Sequence, residues 1–165
     1  MSTALAAALL ASALAAFTDL RSHRIPNAIP LALAALGFLL TALADPIGIF
    51  AFVAIAIGVL LAGTALHARG LLGGGDVKLF AAVAATLGPH DLPLLAAATL
   101  VAGGVLGLAF AALRGRLRAT ATNLQALALP MLAGVRPTAV SDGTPMPYAL
   151  AIFVGSLAVA FTHLR

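Results

Sequence analysis

Six apolar stretches, at about 2–20, 26–44, 47–66, 76–89, 92–113 and 146–163, occupy most of the chain and leave little polar sequence to cover them. A helix needs ~20 consecutive apolar residues to cross the hydrocarbon of a bilayer, and all but the fourth stretch approach that length. With 62% hydrophobic and 8% charged residues in 165, no soluble domain has an interior large enough to bury them. The expected fold class is therefore all-α: a polytopic membrane protein, a bundle of about six transmembrane helices forming a single domain over 1–165. The short fourth stretch either starts below the membrane surface or is extended by the loop before it. Asp45-Pro46, Gly88-Pro89, Pro145 and Pro147 break the runs with turn chemistry. The first run has no positively charged segment ahead of it, and its first basic residues follow it, so it is expected to be a span rather than a signal peptide.

Absent residue types narrow the chemistry. There is no cysteine, which excludes disulfides, thiolate catalysis and Cys-based metal sites. The four histidines, His23, His67, His90 and His163, form no i, i+4 pair, so no metal and no cofactor is expected. The formal charge of +4 is read as loop bias in a membrane protein, with lipids rather than nucleic acid as the surroundings.

That bias sets an orientation. Arg21, Arg24, Arg69, Lys78, Arg114, Arg116, Arg118 and Arg136 are eight of the nine basic residues, and the six-helix reading puts them all on one side, opposite Arg165. By the positive-inside rule this side is cytoplasmic, with loops at about 21–25, 67–77 and 114–145 and both termini out. The stretch 114–145 reads as an interfacial segment on the cytoplasmic leaflet, and Ser141-Asp142-Gly143 as a turn with no catalytic part.

Two of the five acidic residues then fall at one membrane depth: Asp19 at the cytoplasmic end of helix 1 and Asp76 at the cytoplasmic start of helix 4. An ionisable group at a hydrocarbon edge is costly and marks a functional candidate. If helices 1 and 4 pack, the carboxylates can meet, share a proton and activate water. Each also has a plainer reading. Asp19 could pair with Arg21 or Arg24, although an anion near its own helix C-terminus opposes the helix dipole. Asp76 would make a good N-cap.

Around Asp76, Gly73, Gly74 and Gly75 confer backbone freedom without bulk, and an extended peptide could add to such an edge. Lys78, two positions on, is expected to point away from Asp76 and snorkel to the headgroups while biasing the local field. With Arg24, placed to attract a substrate carboxylate, these residues make up the expected substrate-binding set. Gly103, Gly104 and Gly107 suggest a small-residue packing face. The competing readings are a small transporter or channel subunit using its aspartates for protons or cations, and a structural scaffold.

Asp19 with Arg24-Ile25-Pro26-Asn27, then Gly73-Gly74-Gly75-Asp76-Val77-Lys78, then Pro147-Tyr148-Ala149 together resemble the type IV prepilin peptidases, intramembrane aspartyl proteases with a GxGD motif. Presenilin-like proteases and archaeal preflagellin peptidases share that tetrapeptide and remain alternatives. The resemblance implies that Asp19 and Asp76 are the catalytic pair. It implies an inner-membrane enzyme that cleaves the leader of a type IV pilin-like precursor at the cytoplasmic face, after a glycine and before an apolar helix. Larger members also methylate the new amino terminus and carry an insert with paired Cys-x-x-Cys motifs between the first two helices. This chain has about five residues there and no cysteine, so it is similar to the short form of Flp/tight-adherence pilus systems, and methyltransferase activity is not expected. Oligomeric state is not readable from the residues.

Overall fold

The structure, a computed structural model, describes residues 2–70, 72–113, 115 and 147–164. Apart from Gly115, the interfacial segment expected over 114–145, with Arg114, Arg116, Arg118, Arg136 and the turn at Asp142, lies outside them. The described residues form six helices and no strand: α1 (Thr3–Ser22), α2 (Ala28–Ala44), α3 (Gly48–His67), α4 (Gly74–Leu87), α5 (Leu92–Leu113) and α6 (Ala149–His163). Each expected span is met by one helix, with ends displaced by up to three residues.

The ends have local causes. The Ser2 side chain accepts the Leu5 N–H and opens α1. α1 closes on His23, which adopts the left-handed conformation (φ 50°) and donates its N–H to the Asp19 carbonyl at 2.8 Å. Gly88 takes a positive φ of 87° after α4, a conformation that a side chain would strain, and Pro89 follows.

Helices α1, α3 and α5, of 20, 20 and 22 residues, are long and apolar enough to cross a membrane, and α2 and α6 are shorter apolar helices. Large apolar side chains face outward around the bundle, among them Leu31 (71% exposed), Phe50 (78%) and Leu61 (67%). Such a surface suits lipid rather than water. α4 is different. Its 14 residues span about 21 Å, short of the ~30 Å hydrocarbon core. It packs against all five other helices, and every residue from Ala81 to Thr86 is buried. Small side chains allow this, because the backbones of α2 and α3 approach α4 closely at Gly37 and Gly63.

Glycines mark the tightest seams. Gly37 of α2 lies against Thr86 of α4, Gly63 of α3 against Val77 of α4, and Gly155 of α6 against Thr99 of α5; a Cβ at any of the three would overlap its neighbour. Three buried hydroxyls are satisfied within their own helices: Ser12 donates to the Ala8 carbonyl at 2.7 Å, Thr86 to that of Ala82 at 2.8 Å and Ser156 to that of Ile152 at 3.0 Å, whereas Thr99 Oγ1 has no partner among the described residues. At the far end of the α5–α6 pair, Asp91 bonds His163 Nε2 at 2.9 Å and His90 Nδ1 at 3.1 Å. The Asp91 carboxylate lies at the N-terminus of α5 and His163 in the last turn of α6, the poles that favour an anion and a cation.

The α2–α4 seam is testable. Gly37→Leu forces a side chain into the space of Thr86 and is expected to lower stability by about 1–3 kcal/mol, the usual cost of overpacking. Thermal denaturation in detergent micelles would measure it, with Gly58→Leu, which meets nothing within 4 Å, as the tolerated control.

Candidate active site

Asp19 lies in the last turn of α1 and is 6% exposed. Its own helix presents the negative pole to it. The compensation comes from elsewhere: Asp19 Oδ2 accepts the backbone N–H of Ala149, the first residue of α6, at 3.3 Å. The carboxylate is thus placed on the positive pole of α6 and takes up one of the N–H groups that a helix start leaves unpaired. The arginines take no part. Arg21 lies over the Phe17 ring, 4.9 Å from its centroid, and Arg24 is exposed. Among the described residues the ion pairs are those of Asp91, so the plain reading of Asp19 as an arginine partner does not hold.

Asp76 is the third residue of α4. The N-cap is Gly73, and the Asp76 carboxylate turns back over it toward its N–H. This is the acidic half of a capping box rather than the N-cap expected of Asp76 itself. Asp76 also lies in the electrostatic field of Asp19, so the packing of α1 on α4 brings the two carboxylates into one neighbourhood.

The turn between α1 and α2 straps these ends together. Ile25 packs on Gly75, its Cβ 3.2 Å from where a Gly75 Cβ would stand. Lys78 Nζ donates to Asn27 Oδ1 at 3.0 Å. Lys78 is exposed, as expected of a snorkelling lysine, but it is tied to Asn27 rather than free to follow the headgroups. The glycine run is not an extended edge. Gly73 alone is extended (φ −71°, ψ 140°), and Gly74 and Gly75 have entered α4. Gly74 faces the His67 ring, whose Nδ1–H donates to the Leu72 carbonyl at 2.8 Å and holds the loop from α3 to α4.

Tyr148 and Ala149 belong to the site, and the residues alone assigned them no role. The Tyr148 ring rests on Gly103 of α5, where a Cβ would come within 2.7 Å of Cε2 and 3.0 Å of the hydroxyl oxygen. Tyr148 lies in the field of Asp76 and lines with it a cavity of about 230 Å³ whose other walls are almost wholly apolar. Gly104, expected on the same packing face as Gly103, meets nothing within 4 Å. Among the described residues no three His, Cys, Asp or Glu side chains are grouped as a metal would require.

The model of the type IV leader peptidase family matches residues 5–108, which hold Asp19, the strap and the whole of α4. Tyr148, Ala149 and α6 lie beyond the matched stretch. Neither the curated proteins nor the solved structures offer a match.

The site carries its own reporter. Tyr148 is the one tyrosine and there is no tryptophan, so intrinsic fluorescence comes from Tyr148. Gly103→Ala should displace the ring and Asp76→Asn should remove a neighbouring carboxylate, so both are expected to change its emission. Asp45→Asn, in the turn between α2 and α3, should leave it as it is, and steady-state spectra of the purified protein would check all three.

Proposed function

The chain belongs to the type IV leader peptidase family, the prepilin peptidases, which are aspartic-type proteases, and we propose that it removes the leader of a type IV pilin-like precursor with Asp19 and Asp76 as its catalytic pair. One observation carries the assignment. Two carboxylates from separate helices lie in each other's field at the starts of two helices, Asp19 accepting the Ala149 N–H of α6 and Asp76 turned back over Gly73 at the start of α4. In a membrane protein such groups are costly unless they are used.

In the proposed reaction the pair shares one proton, since two neighbouring anions at low dielectric do not both ionise cheaply. The ionised member takes a proton from water, which attacks the scissile carbonyl. The protonated member donates a hydrogen bond to the carbonyl oxygen, where negative charge develops. Collapse of the adduct releases the leader and the new amine, which takes a proton. The two backbone donors let either residue carry the negative charge, because each stabilises one carboxylate without supplying a competing cation.

The active end is assigned to the cytoplasmic face of the inner membrane, following Arg21, Arg24, Arg69 and Lys78 at that end of the bundle. Cleavage after a glycine and the absence of methyl transfer are carried over with the resemblance. The second is supported by the short connection between α1 and α2, too small for a second catalytic insert.

The test is cleavage in membranes. A pilin precursor with a short basic leader ending in Gly, co-expressed with the protein, should be shortened and acquire a new N-terminus after that Gly. Asp19→Asn and Asp76→Asn should each lower the rate by about 10²–10⁴-fold, the range of general acid–base catalysis, while both variants still insert. Substantial cleavage by either would remove that residue from the pair.

A further inference from the structure

We infer that the cleft between α3 and α5 is a side opening in which the apolar helix of the substrate docks, its N-terminal end against Asp76. The inference rests on the peptidase reading above and adds where the substrate lies. α3 and α5 each pack on α4 but not on each other. The gap between them is the cavity of about 230 Å³ that holds Asp76 and Tyr148. Ala62 and Leu66 of α3 form one wall, Ala96 and Leu100 of α5 the other, and Phe80 and Ile152 lie between them. Leu100 is 68% exposed and Ala62 is exposed, so the cleft opens sideways, where a membrane would place lipid. Its flanks are sparsely covered by the rest of the bundle, with 11% of the α3 span and 22% of the α5 span buried.

The chemistry of the walls selects the occupant. Apart from Asp76, Tyr148 and Thr99 the lining is apolar, and small residues in both flanking helices allow a third helix to come close. Among the lining residues the one acid is Asp76, half of a pair that carries one negative charge, and none is a cation. That sign suits an apolar helix preceded by a basic leader, and it disfavours an anionic lipid headgroup. A second groove gives the contrast. Lying between α2, α3 and α4, it is larger, about 410 Å³, but it has Lys78 and Asn27 at its mouth and neither Asp19 nor Asp76 in its walls. Size alone would favour the second groove; access to a carboxylate and charge sign both favour the first.

The cysteine-free chain makes the test direct, because introduced thiols have no background. Single variants Ala62→Cys, Leu100→Cys and, in the second groove, Leu31→Cys are each paired with a precursor carrying one cysteine in its apolar helix. Disulfide capture is expected at 62 and 100 and not at 31. The double variant Ala62→Cys/Leu100→Cys is then bridged with a reducible thiol cross-linker. Bridging should lower cleavage of the precursor at least tenfold, and reduction should restore the unbridged rate, which separates a blocked cleft from a misfolded protein. Capture at 31 with none at 100 would overturn the proposal, as would cleavage undiminished by the bridge. In each of those cases the peptidase reading stands. A precursor left intact by the unbridged protein fails that reading, and the docking proposal with it.

Discussion

A helix of 14 residues that touches five others can exist only if its side chains are small, and the bundle depends on this property of α4. The run Ala81-Ala82-Val83-Ala84-Ala85-Thr86 is buried all round. In lipid, packing rather than water exclusion holds helices together, so close backbone approach matters more than apolar bulk. Gly37 and Gly63 continue the same economy on the helices facing α4, each lying against an α4 side chain. Its N-terminus brings Asp76 to the end of the bundle where α1 and α6 meet.

Two positive helix poles converge there. The start of α4 lies under the Asp76 carboxylate, which turns back over Gly73, and α6 directs the Ala149 N–H to Asp19. An anion in a protein interior needs either a cation or a set of fixed donors. Backbone donors have the advantage for proton transfer: they stabilise the charged carboxylate through partial charges fixed by the helices. The exclusion of Arg21 and Arg24 from Asp19 fits this arrangement, because a salt bridge would hold the carboxylate ionised and occupied.

The six spans were legible because lipid leaves so little choice of composition: once a chain has runs this apolar, their number and the breaks at Asp45-Pro46 and Gly88-Pro89 define the helices. Asp19 and Asp76 stood out for the same reason, as charged residues in a chain with few. Other features were hidden because they are tertiary. The partner of Asp19 lies 130 positions away and is a backbone N–H, which no side-chain pattern encodes. The pairing of Asp91 with His163 spans 72 positions. The glycines at 73–75 invited an extended reading because flexibility is what glycine advertises; in the bundle Gly74 and Gly75 have entered α4, and Gly75 serves as space for Ile25. That α4 is the hub is equally invisible, since a run of alanines is only moderately apolar and gives no sign of how many neighbours it has.

The connectivity also couples the two ends of the α5–α6 pair to the site. α5 meets α4 only lightly and packs extensively along α6, with Thr99 set against Gly155 and Asp91 bonded to His163. α6 in turn carries Ala149, and the residue before it, Tyr148, stands on Gly103 of α5. α6 also packs extensively on α1, so it joins the helix that flanks the cleft to the helix that carries Asp19. The strap from Ile25 and Asn27 holds the start of α4 to the turn between α1 and α2. The wall of the cleft beside Asp76 and the donor to Asp19 therefore belong to one helix pair, α5 and α6, seated on α1.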